Sequence, residues 1–280
     1  MPLGGYLNSV LTNAVGTHFT LHHPALSQPD PITSHCTFIA RASFGLGIVR
    51  IEVSKLGRQY SNAIARLFQS PKGTEILVAE AMITQGNLAR ERTSGGISLP
   101  IDNPIPSTEI FNLEEGAEMI DPPHLARYLA AAMKIRRIFP PGTTYDGDWS
   151  HPVYGPMVRD EWISWHERSG EKNGFDIQAI VMLIDNFKPP AYNFEEIVEG
   201  KNWMATLNMT VDIKKGPPAG KKGWDRLFLR AVIGRCYFGR YSMDVTLLDE
   251  EGDVVAVGRS AELVLGEERR SEKGREKSRI

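Results

Sequence analysis

The segment Gly57-Arg58-Gln59-Tyr60 has a counterpart, Gly234-Arg235-Cys236-Tyr237, in the other half of the 280-residue chain. Each string opens a long stretch typical of a strand, and a charged turn and an apolar strand follow it. Self-similarity at long spacing is the signature of a duplicated unit. The sequence therefore predicts two copies of one arrangement, in which the turn glycines Gly73 and Gly252 mark equivalent points.

A helix is predicted ahead of the strands in each copy. Apolar residues recur at helical spacing from Tyr6 to Val15 in the first copy and from Ile177 to Ile184 in the second. Antiparallel strands that follow one amphipathic helix bury its apolar face. We therefore expect an α+β fold with two antiparallel sheets, each wrapped around a central helix.

The two copies differ where they begin. The second has an additional predicted strand, Val158–His166, ahead of its helix, whereas the first starts at the helix itself. A sheet without this strand has an unpaired edge. Two interpretations stay open: the first copy lacks the strand, or the natural chain begins upstream of Met1. We favour the second.

These patterns divide the chain into four parts. We predict an N-terminal unit over residues 1–110 and a linker over 111–150 that contains a helix, His124–Ile138. A C-terminal unit follows over 151–266. The last residues, 267–280, are almost all charged and are predicted to be disordered.

Composition argues against several classes of function. A net charge of -2 gives no electrostatic reason to expect nucleic acid or an anionic membrane as a partner. No apolar run reaches the roughly 20 residues of a membrane span. The two cysteines, Cys36 and Cys236, form no CxxC motif. We therefore expect neither a disulfide framework nor a metal site, no cofactor, and a reducing, cytoplasmic location. The C-terminal Ser278-Arg279-Ile280 is similar to a peroxisomal address, which is the alternative location.

A set of short strings in a fixed order resembles the thioesterase-like double hotdog superfamily, which includes bacterial thioesterase II and its fungal and actinobacterial relatives. The resemblance covers about residues 4–85 and 155–265. Its specificity lies in the order and spacing of the strings rather than in any one of them. They are Gly4-Gly5-Tyr6-Leu7, Gln28-Pro29-Asp30-Pro31-Ile32, Gly57-Arg58, Ile184-Asp185-Asn186-Phe187, Ala205-Thr206-Leu207 and Val255-Ala256.

The resemblance implies two hotdog units side by side, with their sheets joined and an acyl chain bound between their helices. Relatives use an Asp, a Thr or Ser, and a Gln to bind and activate one water molecule. The matching catalytic positions here are Asp185, Thr206 and Ser260, the last in place of the Gln. A serine is too short to replace the amide, so this departure argues against the family's route of water activation. The residues predicted to bind substrate are Gly5, Tyr6, Asn186, Asn208 and Arg259, of which the last two are candidates to compensate for the missing Gln.

Two of these residues also have simpler interpretations. Asp185 is the one acid in an apolar segment, where burial tends to raise the pKa of a carboxyl group toward values useful for proton transfer. Asp185 and Asn186 could equally cap or end the helix. Thr206 could be an ordinary strand residue, because β-branched side chains suit strands.

We predict an acyl-CoA thioesterase-like hydrolase of lipid or secondary metabolism, in which Asp185 and Thr206 activate water. The alternative is a non-hydrolytic hotdog protein that binds or rearranges an acyl or polyketide-like intermediate in biosynthesis; the Ser260 substitution favours it. The expected partner is acyl-CoA or another acyl thioester. Hotdog units usually pair further, so the resemblance also implies a homo-oligomer.

Overall fold

The computed structural model describes residues 2–93, 97, 105, 109–112, 114–119, 135–140, 151–165, 174–197 and 201–266. These residues form three α-helices and eleven strands. No described helix has the length and apolarity needed to cross a bilayer. The predicted tail, 267–280, lies outside the described residues. In chain order the elements are α1 (Gly4–His22), β1 (Asp30–Phe38), β2 (Ile48–Lys55), β3 (Ser61–Gln69), β4 (Ile76–Gly86), α2 (Leu88–Glu91), β5 (Ala117–Met119), β6 (Ile135–Phe139), β7 (Val158–Trp165), α3 (Ile177–Leu183), β8 (Trp203–Ile213), β9 (Arg226–Ile233), β10 (Arg240–Leu248) and β11 (Val254–Leu265).

All eleven strands belong to one antiparallel sheet, in the order β2-β3-β4-β1-β8-β11-β10-β9-β7-β6-β5. The prediction of two sheets is corrected, because β1 pairs with β8 and joins the halves into a continuous surface. The pairing runs from Thr33 opposite Asp212 to Thr37 opposite Asn208. A physical reason is that each of these strands would otherwise be an open edge of its own half.

The same connection of elements occurs twice in this sheet. Helix α1 is followed by four strands in the order β2-β3-β4-β1, and α3 is followed by four strands in the order β9-β10-β11-β8. The second half has β7 beside β9, whereas β2 has no neighbour on its outer side among the described residues. The difference predicted between the two copies is therefore visible in the sheet.

The region between the halves corrects the predicted helix His124–Ile138. Residues 135–139 form strand β6, which extends the sheet beyond β7. Burial alternates along β6, with Ile135 and Arg137 inward and Arg136 exposed, which is the period of a strand and not of a helix. The rest of the predicted helix, 124–134, lies outside the described residues.

The two long helices lie against the sheet and touch each other. Helix α1 buries Leu11, Val15 and Phe19 in the first core, and α3 buries Ile180 and Leu183 in the second. Polar contacts join the helices: the Ser9 hydroxyl donates to the Gln178 carbonyl and the Thr12 hydroxyl to the Gln178 side chain, each at 2.9 Å. This packing brings the first turn of α1 to the end of α3, where the predicted acid Asp185 lies.

Candidate active site

Asp185 lies just after α3, and its carboxylate binds the first turn of α1. The Gly5 backbone N–H donates to Oδ2 of Asp185 at 2.8 Å. The Gly4 backbone N–H is a second donor to this carboxylate. The residue before α1, Leu3, supplies no side-chain cap. Asp185 therefore caps the helix of the other half rather than its own, and a helix N-terminus favours such an anion.

The contact between the helix ends depends on the absence of a side chain at Gly5. A Cβ atom there would lie 2.5 Å from the Met182 carbonyl oxygen and 2.9 Å from the Cβ of Asp185. Any larger residue would push α1 away from the loop after α3. Gly5 therefore lies beside Asp185 and donates to it through its backbone N–H, while its predicted contact with substrate stays a prediction.

Burial raises the pKa of Asp185 to about 6. The Gly5 and Gly4 N–H groups and the Thr206 hydroxyl oppose this rise because they stabilise the charged form. The carboxylate is thus ionised at neutral pH, yet its pKa is close enough to neutrality for efficient proton uptake.

Thr206 reaches Asp185 because of a β-bulge in β8. Opposite β11, Asn208 pairs with Ala261 and Thr206 pairs with Glu262, so Leu207 is the additional residue. Simple alternation would bury Leu207 with Met209, but Leu207 is 37% exposed and Met209 only 1%. The bulge turns Thr206 toward the helix side of the sheet, as bulges near active sites commonly do.

Glu262 joins this group and was missed from the sequence. It lies opposite Thr206 on one side and opposite Tyr241 of β10 on the other, and it is 5% exposed. Burial, followed by the charge of Asp185, raises the pKa of Glu262 to about 8, and the Ser260 and Thr206 hydroxyls oppose the rise.

A signal for Glu262 was present in the repeat. It stands six positions after Ala256 of the Val-Ala pair in its copy, and Gln85 stands six positions after Ala79 in the other. A charged residue within an otherwise apolar strand was the second signal, because charged side chains are seldom fully buried without a partner or a function.

Ser260 lies one row further along β11 on the same face as Glu262. It is buried and stands opposite Met209 and Met243. It lies beside Glu262, but the Glu262 side chain, rather than Ser260, stands opposite Thr206, and the predicted catalytic role of Ser260 stays a prediction.

Arg259 and Asn208 do not join this group. Both are exposed, and Arg259 lies 3.5 Å from Asp244, an exposed acid of β10. Neighbouring residues of a strand point to opposite faces, so Arg259 points away from the side on which Ser260 is buried. The expectation that either residue compensates for the missing Gln is wrong for this geometry.

The two remaining predicted residues have different surroundings. Tyr6 is 52% exposed at the start of α1. Asn186 is buried, and both its backbone oxygen and its Oδ1 accept hydrogen bonds from Arg137, whose charge is balanced by the buried Glu161. Asn186 therefore fixes the loop that carries Asp185.

Tyr241 completes the group on its β10 side. Its ring is 3% exposed, and burial together with the nearby Glu262 raises the pKa of the phenol. The described residues include no cluster of three or more His, Cys, Asp or Glu side chains suited to a metal ion. The chemistry that these side chains offer is proton transfer and hydrogen bonding.

Solved structures with the same arrangement identify the fold. One described as a thioesterase II from Thermobifida fusca has a TM-score of 0.67 and 18% identity, over 94% of this chain and 86% of that one. A protein with a hot dog fold from Alicyclobacillus acidocaldarius has a TM-score of 0.68 and 14% identity, over 95% and 88% of the two chains. The fold is therefore of the hotdog type.

Sequence comparison points the same way. The thioesterase-like protein TwmA of Talaromyces wortmannii is 24% identical over an alignment 315 residues long, gaps included, which covers 98% of this chain and 86% of TwmA. Family models for the N-terminal and C-terminal domains of acyl-CoA thioesterase match residues 1–86 and 114–261. Together the two matches span most of the sequence, and the chain belongs to the acyl-CoA thioesterase family.

Proposed function

We propose that this protein hydrolyses an acyl thioester at one site, where Asp185 and Thr206 hold and activate a water molecule. The observation that carries the proposal is the Asp185 carboxylate, fixed by the Gly5 N–H at 2.8 Å and flanked by the Thr206 hydroxyl. Its pKa of about 6 suits a general base near neutral pH.

The proposed reaction begins with proton transfer from water to Asp185 while the water oxygen attacks the thioester carbonyl. A C–O bond forms, and the carbonyl oxygen takes the negative charge. The C–S bond then breaks, and the leaving thiolate takes the proton back from Asp185. The products are a free carboxylic acid and a thiol.

Family membership makes acyl-CoA the substrate class that we propose, and the repeated connection of elements makes two fused hotdog units the architecture that we propose. The acyl chain would enter between α1 and α3, the two helices that meet beside Asp185. We also propose that copies of the chain pair, as the family resemblance implies.

The test is release of free CoA from a panel of acyl-CoAs from acetyl to long-chain. Asp185→Asn should lower the rate by about 100-fold or more, because general base catalysis contributes on that scale. Asp244→Asn is the matched control, because this acid is exposed on another part of β10 and should leave the rate unchanged. Equal rates for wild type and Asp185→Asn would refute hydrolysis at this site.

A second function is favoured by one observation. The third family position is Ser260, and a second carboxyl group, Glu262, lies beside Asp185. A paired base and acid also suit rearrangement of a bound acyl or polyketide-like intermediate without hydrolysis. Native mass spectrometry distinguishes the two: a retained apolar ligand combined with no CoA release supports the second function.

A further inference from the structure

Two buried oxygen atoms beside Asp185 have no hydrogen-bond partner among the described residues. They are the Tyr241 hydroxyl and Oε1 of Glu262. Buried polar groups are almost always paired, and an unpaired one costs stability. Two such atoms on facing positions of β10 and β11 indicate a place built to bind a polar atom of a ligand.

The backbone fixes these groups in a row. Tyr241, Glu262 and Thr206 lie directly opposite one another across β10, β11 and β8. Asp185 approaches the row from the loop after α3, and the Thr206 hydroxyl influences both carboxyl groups. The row therefore has a base at the Thr206 end and a phenol at the other, with Glu262 between them.

The surroundings decide which carboxyl group keeps a proton. Two buried carboxyl groups side by side do not both ionise readily. Asp185 has the backbone N–H groups of a helix N-terminus to stabilise its charge, whereas Glu262 has only the hydroxyls of Ser260 and Thr206. The pKa values of about 6 for Asp185 and about 8 for Glu262 follow the same order.

We infer that the neutral carboxyl group of Glu262 and the hydroxyl of Tyr241 donate hydrogen bonds to the carbonyl oxygen of the substrate, and so form its oxyanion site. This role rests on the proposed hydrolysis and deepens it. Water attack places the negative charge on that oxygen, and both donors are already in position when it develops. Neither donor gains or loses a proton overall, because Asp185 carries the proton from water to the departing thiolate.

The arrangement also explains how the site works without the Gln of its relatives. An amide nitrogen and a protonated carboxyl group are both hydrogen-bond donors of similar size. Glu262 therefore supplies a donor to the space beside Thr206, which Ser260 is too short to fill. The donor is lost when Glu262 ionises, so the rate should fall in alkaline solution. The other titratable groups around it are Asp185, Tyr241 and, beyond the phenol, Tyr192 and Cys236.

Kinetics of CoA release test the role of each donor. Glu262→Leu should lower kcat by about 100-fold, since loss of one oxyanion donor typically costs that much, with a smaller change in KM. Tyr241→Phe should act in the same direction. Glu262→Gln retains a donor and should stay within about ten-fold of wild type, but without the alkaline fall in rate. Tyr60→Phe is the control, because this exposed hydroxyl bonds to Glu91 in the first half.

A titration that needs no turnover separates this inference from the proposed hydrolysis. The ¹³C resonance of the Glu262 carboxyl group, assigned by its loss in Glu262→Gln, should titrate well above pH 6 in wild type. In Asp185→Asn the midpoint should fall, because a neighbouring negative charge has been removed. An ordinary midpoint in wild type, or one that Asp185→Asn leaves unchanged, would overturn the inference.

The two experiments have distinguishable failures. Absence of CoA release with the predicted titration would refute hydrolysis and leave the neutral Glu262 intact. Normal CoA release by Glu262→Leu and Tyr241→Phe would refute the oxyanion role alone.

Discussion

The two halves of the molecule place one strand residue at the same point and use it differently. Gln85 of β4 and Glu262 of β11 are both buried, and each pairs with two neighbouring strands. In each half the first strand after the helix has a β-bulge beside this residue: Ile32 is the additional residue in β1, next to Pro31 opposite Gln85, and Leu207 is the additional residue in β8, next to Thr206 opposite Glu262. The backbone arrangement is thus repeated in the two halves, but the side chains at these equivalent positions differ.

The difference between the halves follows from how a helix packs against this strand residue. Gly16 of α1 lies over Gln85, and a Cβ atom on it would come within 2.7 Å of the Pro29 carbonyl oxygen. That same carbonyl accepts a hydrogen bond from Gln85. The first half therefore has no room for an acid at the place equivalent to that of Asp185, and Gln85 instead links β4 to Pro29, the residue before β1. One copy is structural and the other carries the candidate chemistry.

The largest effect on the rate of CoA release is expected from a comparison of two glycines of α1, Gly5 beside Asp185 and Gly16 beside Gln85. Gly5→Ala places a methyl group 2.9 Å from the Cβ of Asp185 and should lower CoA release by about 100-fold, because a displacement of a catalytic group by about 1 Å can cost that much. Gly16→Ala is equally crowded and should lower Tm by several degrees, as overpacking does.

The two variants should differ in the rate of CoA release, measured below their melting temperatures so that both are folded. Gly16→Ala should retain the wild-type rate there. Equal loss of rate in both variants would show that the place beside Gln85 contributes to the reaction as much as the site beside Asp185, against this account.

A smaller effect is expected at Thr206, which has no counterpart at Pro31. Thr206→Val should lower the rate by about 10-fold, since one neutral hydrogen bond contributes about 1 kcal/mol and about 1.4 kcal/mol corresponds to a factor of ten. The Thr206 hydroxyl lowers the pKa of Asp185, so its removal should move the acid limb of the pH–rate profile to higher pH. Thr206→Ser should keep both rate and profile; an unmoved acid limb in Thr206→Val would break the link to Asp185.

Stability against pH offers a third test, at Glu262. The pKa of this group is raised in the folded protein from 4.5 to about 8. The folded state therefore holds a proton that the unfolded chain has released, and stability falls as pH rises from about 4.5 through 8. Glu262→Gln should remove this fall, so its Tm relative to wild type should rise by about 3 °C or more between pH 6 and pH 9.

The matched variant in the first half is Gln85→Glu. It replaces the donor to the Pro29 carbonyl with an acid and should lower Tm, further so at high pH. If the difference in Tm between wild type and Glu262→Gln stays constant from pH 6 to pH 9, Glu262 is not neutral in the folded protein.

The smallest effect is expected at Arg259, on the opposite face of β11. Arg259→Ala should change the rate of CoA release by less than about two-fold, because the side chain is exposed and, within the described part of the chain, forms an ion pair only with the exposed Asp244. A large loss would restore the sequence-based expectation that Arg259 contacts substrate.

Sequence reasoning reached the duplicated architecture because periodicity and turn glycines are local signals. It also reached Asp185 and Thr206, which the structure brings together. The family resemblance implied that the two sheets join, but the particular partners β1 and β8 could not be named, since strand partners far apart in sequence leave no local pattern. Sequence reasoning missed Glu262 because the resemblance placed the third family position at Ser260, and the bulge at Leu207, which sets Thr206 opposite Glu262, cannot be read from alternation alone.

The most direct test of the central claim is a single turnover of acyl-CoA in ¹⁸O-labelled water with enzyme in excess, followed by mass spectrometry of the free acid. If Asp185 activates water for direct attack, the acid should contain one ¹⁸O atom, and Asp185→Asn should form it at least about 100 times more slowly. Acid without the label, or CoA that stays fully acylated, would contradict water attack at this site.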